Sequence, residues 1–142
     1  MSLEILIRDS GPEWTREEPA SEEAVALLAA ELPQLPPDYL AFLKLSNGGE
    51  GELGVEPGWF ALWRAEEVAE MNAEYQVPEF LPGFVGFGSN GGGEMLAFGA
   101  TPERLGRVYA VPFIPMEAEE ALELAPDFAT LVRAFGHRAP AA

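Results

Sequence analysis

The chain has 142 residues, and 48% of them are hydrophobic, which is enough for one folded domain with its own core and excludes a disordered chain. Its 24 acidic residues against 8 basic ones give a formal net charge of −16. That charge excludes nucleic acid and anionic membranes as partners, because their phosphates would be repelled, and the lack of cysteine excludes disulfides, thiolate metal sites and cysteine nucleophiles.

The first third of the chain predicts one strand and two helices. Apolar residues alternate over residues 3–9, which favours a short N-terminal strand. Residues 13–20 are charged and irregular, apart from one tryptophan. Ser21 is a suitable N-cap for a helix with an apolar face. A second helix is predicted between Leu35 and Ser46, because prolines open this stretch and an Asn-Gly-Gly sequence closes it.

The middle of the chain alternates glycine-rich and apolar segments. Residues 48–54 are interpreted as an acidic glycine loop that carries Glu50 and Glu52. The segments that follow are predicted to be a strand at residues 58–63, a short helix at 65–75 and a rigid linker at 77–82.

Residues 84–98 predict a hairpin around which the rest of the sheet is organised. Two apolar runs flank Ser89, Asn90 and three successive glycines, a pattern typical of two strands joined by a turn. At least one of the three glycines should have a positive φ. Residues 86–91 also match the pattern G-x-G-x-x-G, but a strand rather than a helix is predicted next, which argues against a nucleotide site.

The last third predicts a strand at residues 107–111 and a helix at 127–135, followed by a frayed tail from His137. Residues 112–126 fit either an irregular crossing or a helical turn. The predicted fold class is therefore α+β, a mainly antiparallel sheet with helices packed around it. We expect a single domain over residues 1–142, with its core at about 22–135.

The sequence shows no sign of a membrane or export segment. No apolar run approaches the roughly 20 residues that a membrane-spanning helix needs. The first residues lack the basic start and apolar core of a signal peptide. We therefore expect a cytoplasmic protein that contacts no membrane.

The candidate chemistry is sparse. His137 is the only histidine, so a histidine-based triad or metal site would have to be built on the predicted tail, and we predict no catalytic residues and no metal. A carboxylate-based cation-binding or hydrolytic site stays open as an alternative, with Asn47, Glu50, Glu52, Asn90 and Glu94 as its candidates. Neither glycine loop has the spaced acidic ligands of a calcium loop.

Several segments together resemble the SMI1/KNR4 family, also called the SUKH superfamily. They are Leu35-Pro36-Pro37-Asp38-Tyr39-Leu40-Ala41-Phe42-Leu43 running into Ser46-Asn47-Gly48-Gly49, then Leu62-Trp63 with Glu66-Glu67-Val68 ahead of Asn72, the hairpin loop, and the final helix with Phe128. The resemblance covers about residues 22–135. It implies an α+β fold and a non-enzymatic protein-binding role without cofactors. Bacterial members of the family are largely immunity proteins that neutralise toxins, often nucleases, and a fungal relative acts as a regulatory scaffold.

These observations predict an immunity-type protein that binds a basic toxin domain stoichiometrically, with a regulatory scaffold of the same fold as the alternative. The predicted partner-binding residues are Asn47, Glu50, Glu52, Trp59, Asn90 and Glu94. Trp59 is included because tryptophan is enriched in binding hot spots. We expect the two glycine loops to be accessible and to share one surface, since their carboxylates are unsuited to a core.

Overall fold

A computed structural model of the protein describes residues 2–140. The helices and strands in chain order are α1 (Leu3–Arg8), β1 (Trp14–Thr15), α2 (Glu22–Glu31), α3 (Pro37–Leu43), β2 (Gly49–Glu52), β3 (Trp59–Leu62), α4 (Ala65–Glu74), α5 (Val77–Phe80), β4 (Phe84–Ser89), β5 (Glu94–Gly99), β6 (Val108–Pro112), β7 (Leu122–Ala125) and α6 (Phe128–Val132), with a 3-10 turn at Ala118–Glu120.

Within residues 2–140, seven strands form one sheet whose spatial order is the same as their order in the chain, and each neighbouring pair is antiparallel. The predicted α+β fold with a mainly antiparallel sheet is confirmed. The central hairpin of β4 and β5 is also confirmed, and Gly91 in its turn has a φ of +79°. The segment after the three glycines is strand β5 and not a helix, which agrees with the argument against a nucleotide site.

The predicted N-terminal strand is wrong, because residues 3–8 form helix α1. The Ser2 side chain caps this helix by accepting a hydrogen bond from the backbone N–H of Ile5. Leu3, Leu6 and Ile7 pack toward the core, a spacing that fits a helix as well as alternation fits a strand. The core therefore begins before residue 22.

Four further segments contain a strand or helix that was not predicted for them. The glycine loop at residues 48–54 contains strand β2, and the linker at 77–82 contains helix α5. Residues 112–126, for which the sequence left two interpretations, contain the 3-10 turn and the edge strand β7. The irregular stretch at 13–20 supplies β1, which is only two residues long and depends on its pairing with β2.

One face of the sheet packs against the helices to form the main core. Aromatic side chains from α3, the sheet and α6 meet edge to face, with the Tyr39 ring 5.2 Å from Phe98 and 5.4 Å from Phe128 between ring centroids. Phe87 and Phe98 stack at 4.1 Å across the central hairpin. Such pairs each add about 1 kcal/mol to the free energy of burial, so this cluster holds both helices on the sheet.

The opposite face of the sheet is covered only over β4–β6. A smaller cluster there includes Val77 of α5, Met95 of β5 and Val111 of β6, and Phe113 and Met116 from the segment after β6 pack against it. Strands β1–β3 carry no comparable layer on this side, since Thr15 and Glu50 are exposed there. The sheet thus has one face covered along its length and one face left half open.

Asn72 of α4 joins this helix to the sheet. Strand β3 ends at Leu62, and beyond that point the neighbouring edge of β4 is occupied by α4. The buried Asn72 side chain accepts a hydrogen bond from Gly86 N–H (2.8 Å) and donates one to Gly86 C=O (2.9 Å). The amide therefore supplies the two hydrogen bonds that a strand would otherwise make.

We expect Asn72→Ala to lower the free energy of unfolding by about 2 kcal/mol or more, because two buried backbone groups of Gly86 lose their partners. Urea unfolding would measure this loss. Asn90→Ala is the matched control: the Asn90 amide also accepts from backbone N–H groups, but these are exposed or half-buried and water can replace it. Equal effects of the two changes would show that Asn72 does not join α4 to the sheet.

We expect Tyr39→Phe to raise the free energy of unfolding by about 1 kcal/mol. Within residues 2–140, the Tyr39 hydroxyl is a buried polar atom without a hydrogen-bond partner, and removal of the oxygen ends that cost. Thermal and urea unfolding would detect the change. Tyr75→Phe, which removes a hydroxyl from a half-exposed ring, should leave stability nearly unchanged. A clear loss of stability in Tyr39→Phe would contradict this account.

Candidate functional site

The open half of the sheet begins at β1, where a tryptophan fixes which side chains face outward. The Trp14 ring packs into the main core, 5.5 Å from Phe135 and 5.7 Å from Phe60 between ring centroids. Because successive side chains of a strand point to opposite faces, Glu13 and Thr15 face away from the core. Both are exposed.

Strand β2 alternates glycine and glutamate for the same reason. Gly49 and Gly51 face the core side and are buried, because Trp14 lies against them and leaves no room for a side chain. A Cβ at Gly49 would lie 3.1 Å from the Trp14 ring, and one at Gly51 would collide with Trp14 Cβ. Glu50 and Glu52 alternate with these glycines and consequently point outward. The requirement for glycine at Gly49 and Gly51 therefore places both carboxylates on one surface.

The register of the strands assembles these residues into one surface, which we call the outer face: Glu13, Thr15, Glu50, Glu52, Trp59 and Ala61. Glu50 is paired with Thr15 on one side and Ala61 on the other, and Ala61 is paired in turn with Ser89. Glu50 and Ser89 are thus two strand spacings apart, about 10 Å. Glu50 of the first predicted loop and Ser89 at the start of the second thus lie on the same side of the sheet.

Trp59 links the outer face to the hairpin turn. It is paired with Glu52, and 37% of its surface is exposed. A Cβ at Gly91 would lie 3.1 Å from Trp59 Cδ1, so the indole rests against the turn. Trp59 therefore presents an apolar surface beside two carboxylates.

Two shallow grooves cross the outer face, and Glu50 lies between them. One, of about 430 Å³, runs along Glu13, Thr15, Glu52 and Trp59. The other, of about 270 Å³, is bounded by Glu17, Ala61 and Arg64. Both are open, as expected of a surface for a protein segment rather than an enclosed small-molecule site.

The electrostatics of the outer face are unbalanced. Glu52 donates its backbone N–H to Glu13 C=O at 2.8 Å, so two glutamates sit side by side on neighbouring strands. Like charges in such positions destabilise the pairing of strands. Arg138 approaches Glu52 only at 3.9 Å and is largely exposed, so it relieves little of this repulsion. A cationic partner would relieve it.

Asn47 lines the second groove beside Glu50, and its role as a partner contact stays a prediction. The residue is buried. Its Oδ1 accepts from the backbone N–H of Ala65 (2.7 Å), and its Nδ2 donates to Glu66 Oε1 (2.9 Å). Asn47 therefore fixes the start of α4. The second hydrogen bond lowers the pKa of the Glu66 carboxyl.

Asn90 and Glu94 shape the hairpin turn. Asn90 Oδ1 accepts from the backbone N–H groups of Gly92 (2.9 Å) and Glu94 (3.0 Å). Asn90 Nδ2 lies 3.3 Å from Glu94 Oε1. Met95 is paired with Ser89, so its side chain lies on the same side of the sheet as the outer face. The side chain of Glu94, the preceding residue of β5, therefore points to the opposite side. Glu94 is thus separated from Glu50 and Glu52.

Sequence reasoning missed Glu13, Thr15 and Glu17. The sequence contains a signal for Glu13 and Thr15: one large aromatic residue, Trp14, in a charged stretch marks a core-facing position, and the residues on either side of it then face solvent. The alternation of Gly49-Glu50-Gly51-Glu52 is likewise the period of a strand, and it was obscured by the usual association of glycine with loops.

The described residues give little support for a metal site, a histidine-based site or a membrane-spanning helix. Among residues 2–140, no group of three or more His, Asp or Glu side chains is placed to hold a metal ion. His137 is exposed beyond α6. In the same range, no helix has the length and apolar character to cross a bilayer.

The chain matches the sequence model of a known protein family. The model of the SMI1 / KNR4 family (SUKH-1) matches residues 19–134, which include α2 through α6. No curated protein matches the chain. The family match covers most of the chain, including β2 and β3 of the outer face but not β1.

We expect Asn47→Ala to raise the pKa of the Glu66 carboxyl toward its ordinary value, since the main cause of its lowering is the Asn47 hydrogen bond. A carboxyl with a lowered folded-state pKa stabilises the fold above its unfolded-state pKa, and this contribution is lost as the pH falls through the folded-state value. The variant should therefore lose less stability on acidification than the parent. Carboxyl carbon NMR titration would measure the pKa, with Asp127, whose pKa is lowered by Thr130, as the internal control. An unchanged Glu66 pKa would contradict the role of Asn47.

Proposed function

The chain belongs to the SMI1/KNR4 family (SUKH-1), and on that basis we propose that it is an immunity-type binding protein that neutralises a cognate bacterial toxin by stoichiometric binding in the cytoplasm. The observation that carries the proposal is the outer face, where three strands turn carboxylates and a half-exposed tryptophan toward solvent. Immunity-type proteins of this family act by binding rather than by catalysis.

The charge of the outer face suits a basic toxin domain. A nuclease presents cationic residues to the phosphates of its substrate, so an acidic protein surface competes for the same residues. The two grooves are bordered by Glu13, Glu17, Glu50 and Glu52, against which Arg64 is the one cationic lining residue among those described. The partner is therefore a cationic protein surface.

Charge and apolar contact would contribute to different steps. Carboxylates act at a distance and speed the encounter, since their field extends over a Debye length of about 10 Å at 0.1 M salt. Trp59 acts at contact, because burial of an exposed indole in a pocket of the partner slows dissociation. Both lie on the outer face, so one docking event would use both.

Co-expression tests the proposal directly. The toxin to use is the one encoded immediately before the gene for this protein, because immunity genes follow their toxin genes. Co-expression should restore growth to cells that make the toxin, and the purified proteins should form a complex of fixed stoichiometry. No adjacent toxin gene, or no rescue, would contradict the immunity role and favour the regulatory scaffold.

We expect the double change Glu50→Gln and Glu52→Gln to lower the association rate with that toxin by about tenfold at low salt, and to change the dissociation rate far less. Stopped-flow or surface plasmon measurements between 0.05 and about 0.5 M salt would show the difference vanish as screening increases. Glu22→Gln with Glu23→Gln is the matched control, since it makes the same change in net charge on exposed residues of α2. Equal effects of the two pairs would mean that net charge, and not the outer face, steers the partner.

A further inference from the structure

A separate apolar groove of about 630 Å³ lies between the end of α4, helix α5 and the segment after β6. Its floor is the Tyr75 ring packed on Phe113, with 4.5 Å between ring centroids, and Trp63 stacks on the other side of Tyr75 at 6.2 Å. Phe113 and Trp63 are in turn packed against the smaller core cluster. The floor is therefore anchored to the sheet and is already formed without a partner.

The sides of the groove expose large apolar side chains. Ile114 is 92% exposed, Phe80 is 61% exposed and Tyr75 is 38% exposed. Single exposed apolar residues are ordinary, and Leu105 is one that lies outside this groove. Several that converge on one concave site are the usual mark of an interaction surface.

The charge around the groove is negative. Glu79 and Glu117 are, among the described residues, the charged ones that line it. Helix α4 also ends there, at Glu74, and its C-terminal carbonyls carry partial negative charge. A helix end of this kind is stabilised by a nearby cation, yet its last turn has no basic residue of its own.

We propose that this groove binds a protein segment that places a large apolar side chain against Phe80 and Ile114 and brings Lys or Arg to Glu79 and Glu117. Charge complementarity selects this occupant. A second copy of the chain would bring the same glutamates together and join two molecules of net charge −16. The groove is lined by residues other than those of the outer face, so this proposal stands or falls independently of the toxin-binding proposal.

The probe is a short synthetic peptide with the sequence Leu-Phe-Leu between two pairs of Lys, titrated into the full chain by calorimetry at about 0.15 M salt. We expect it to bind, and we expect the peptides with Glu in place of Lys, or with Ser in place of Leu and Phe, not to bind. Ile114→Ser should weaken binding of the first peptide by about tenfold or more, since one exposed apolar side chain is lost.

Two matched controls locate the peptide. Leu105→Ser removes a similarly exposed apolar side chain elsewhere and should bind as the parent does. Glu79→Gln with Glu117→Gln should weaken binding, whereas Glu22→Gln with Glu23→Gln, which makes the same change in net charge on α2, should not.

The proposal is overturned if the first peptide fails to bind, or if Ile114→Ser and Leu105→Ser bind it equally. Loss of binding in the Glu50 and Glu52 variant with none in the Glu79 and Glu117 variant would place the peptide on the outer face and overturn it as well. Analytical ultracentrifugation completes the test: a dimer that Ile114→Ser dissociates would make a second copy the occupant and contradict the proposal.

Discussion

The placement of helix α4 depends on two buried asparagines, and the rest of the structure depends on that placement. Asn47 accepts the first backbone N–H of the helix, and Asn72 near its end makes two hydrogen bonds to Gly86. The helix can therefore occupy the edge of β4 that β3 leaves free, without an unpaired backbone group there. Each position therefore needs a side chain of fixed length that can both accept and donate a hydrogen bond.

This arrangement explains why one side of the sheet offers two different surfaces. A single row of paired residues crosses that side, from Glu50 through Ala61 and Ser89 to Met95 and Val111. Its first half is exposed or half-buried and begins at the carboxylate of Glu50, and its second half is buried under α5 and the segment after β6. The boundary falls at Ser89, next to the hairpin turn. The outer face and the apolar groove are consequences of a covering layer that spans only half of the sheet.

Much of the fold could be predicted from the sequence. Over α2, α4 and the central hairpin, the spacing of the apolar residues agrees with the residue types that begin and end each element. Predictions failed where a tertiary contact decided the structure. Strand β2 needs glycine because Trp14 from another strand lies against it, and no local rule states that requirement. Of the candidate site, Glu50 and Glu52 were predicted as loop carboxylates and Trp59 as a strand-end residue, and the face that they share follows from strand pairing that no local pattern states. The hydrogen bonds of Asn47 to Ala65 and Glu66 likewise join residues that are distant in the chain.

The two surfaces differ in the physics that they bring to binding. On the outer face, Glu13 and Glu52 lie side by side, and a cationic partner would offset the repulsion between their carboxylates. In the groove, the unfavourable feature of the free protein is apolar area in water, at Phe80 and Ile114, which an apolar side chain removes. The first contribution weakens as salt is added and the second does not. A partner that is both basic and apolar can therefore be captured quickly by its charge and held by its apolar contacts. The salt dependence of the association and dissociation rates separates the two contributions.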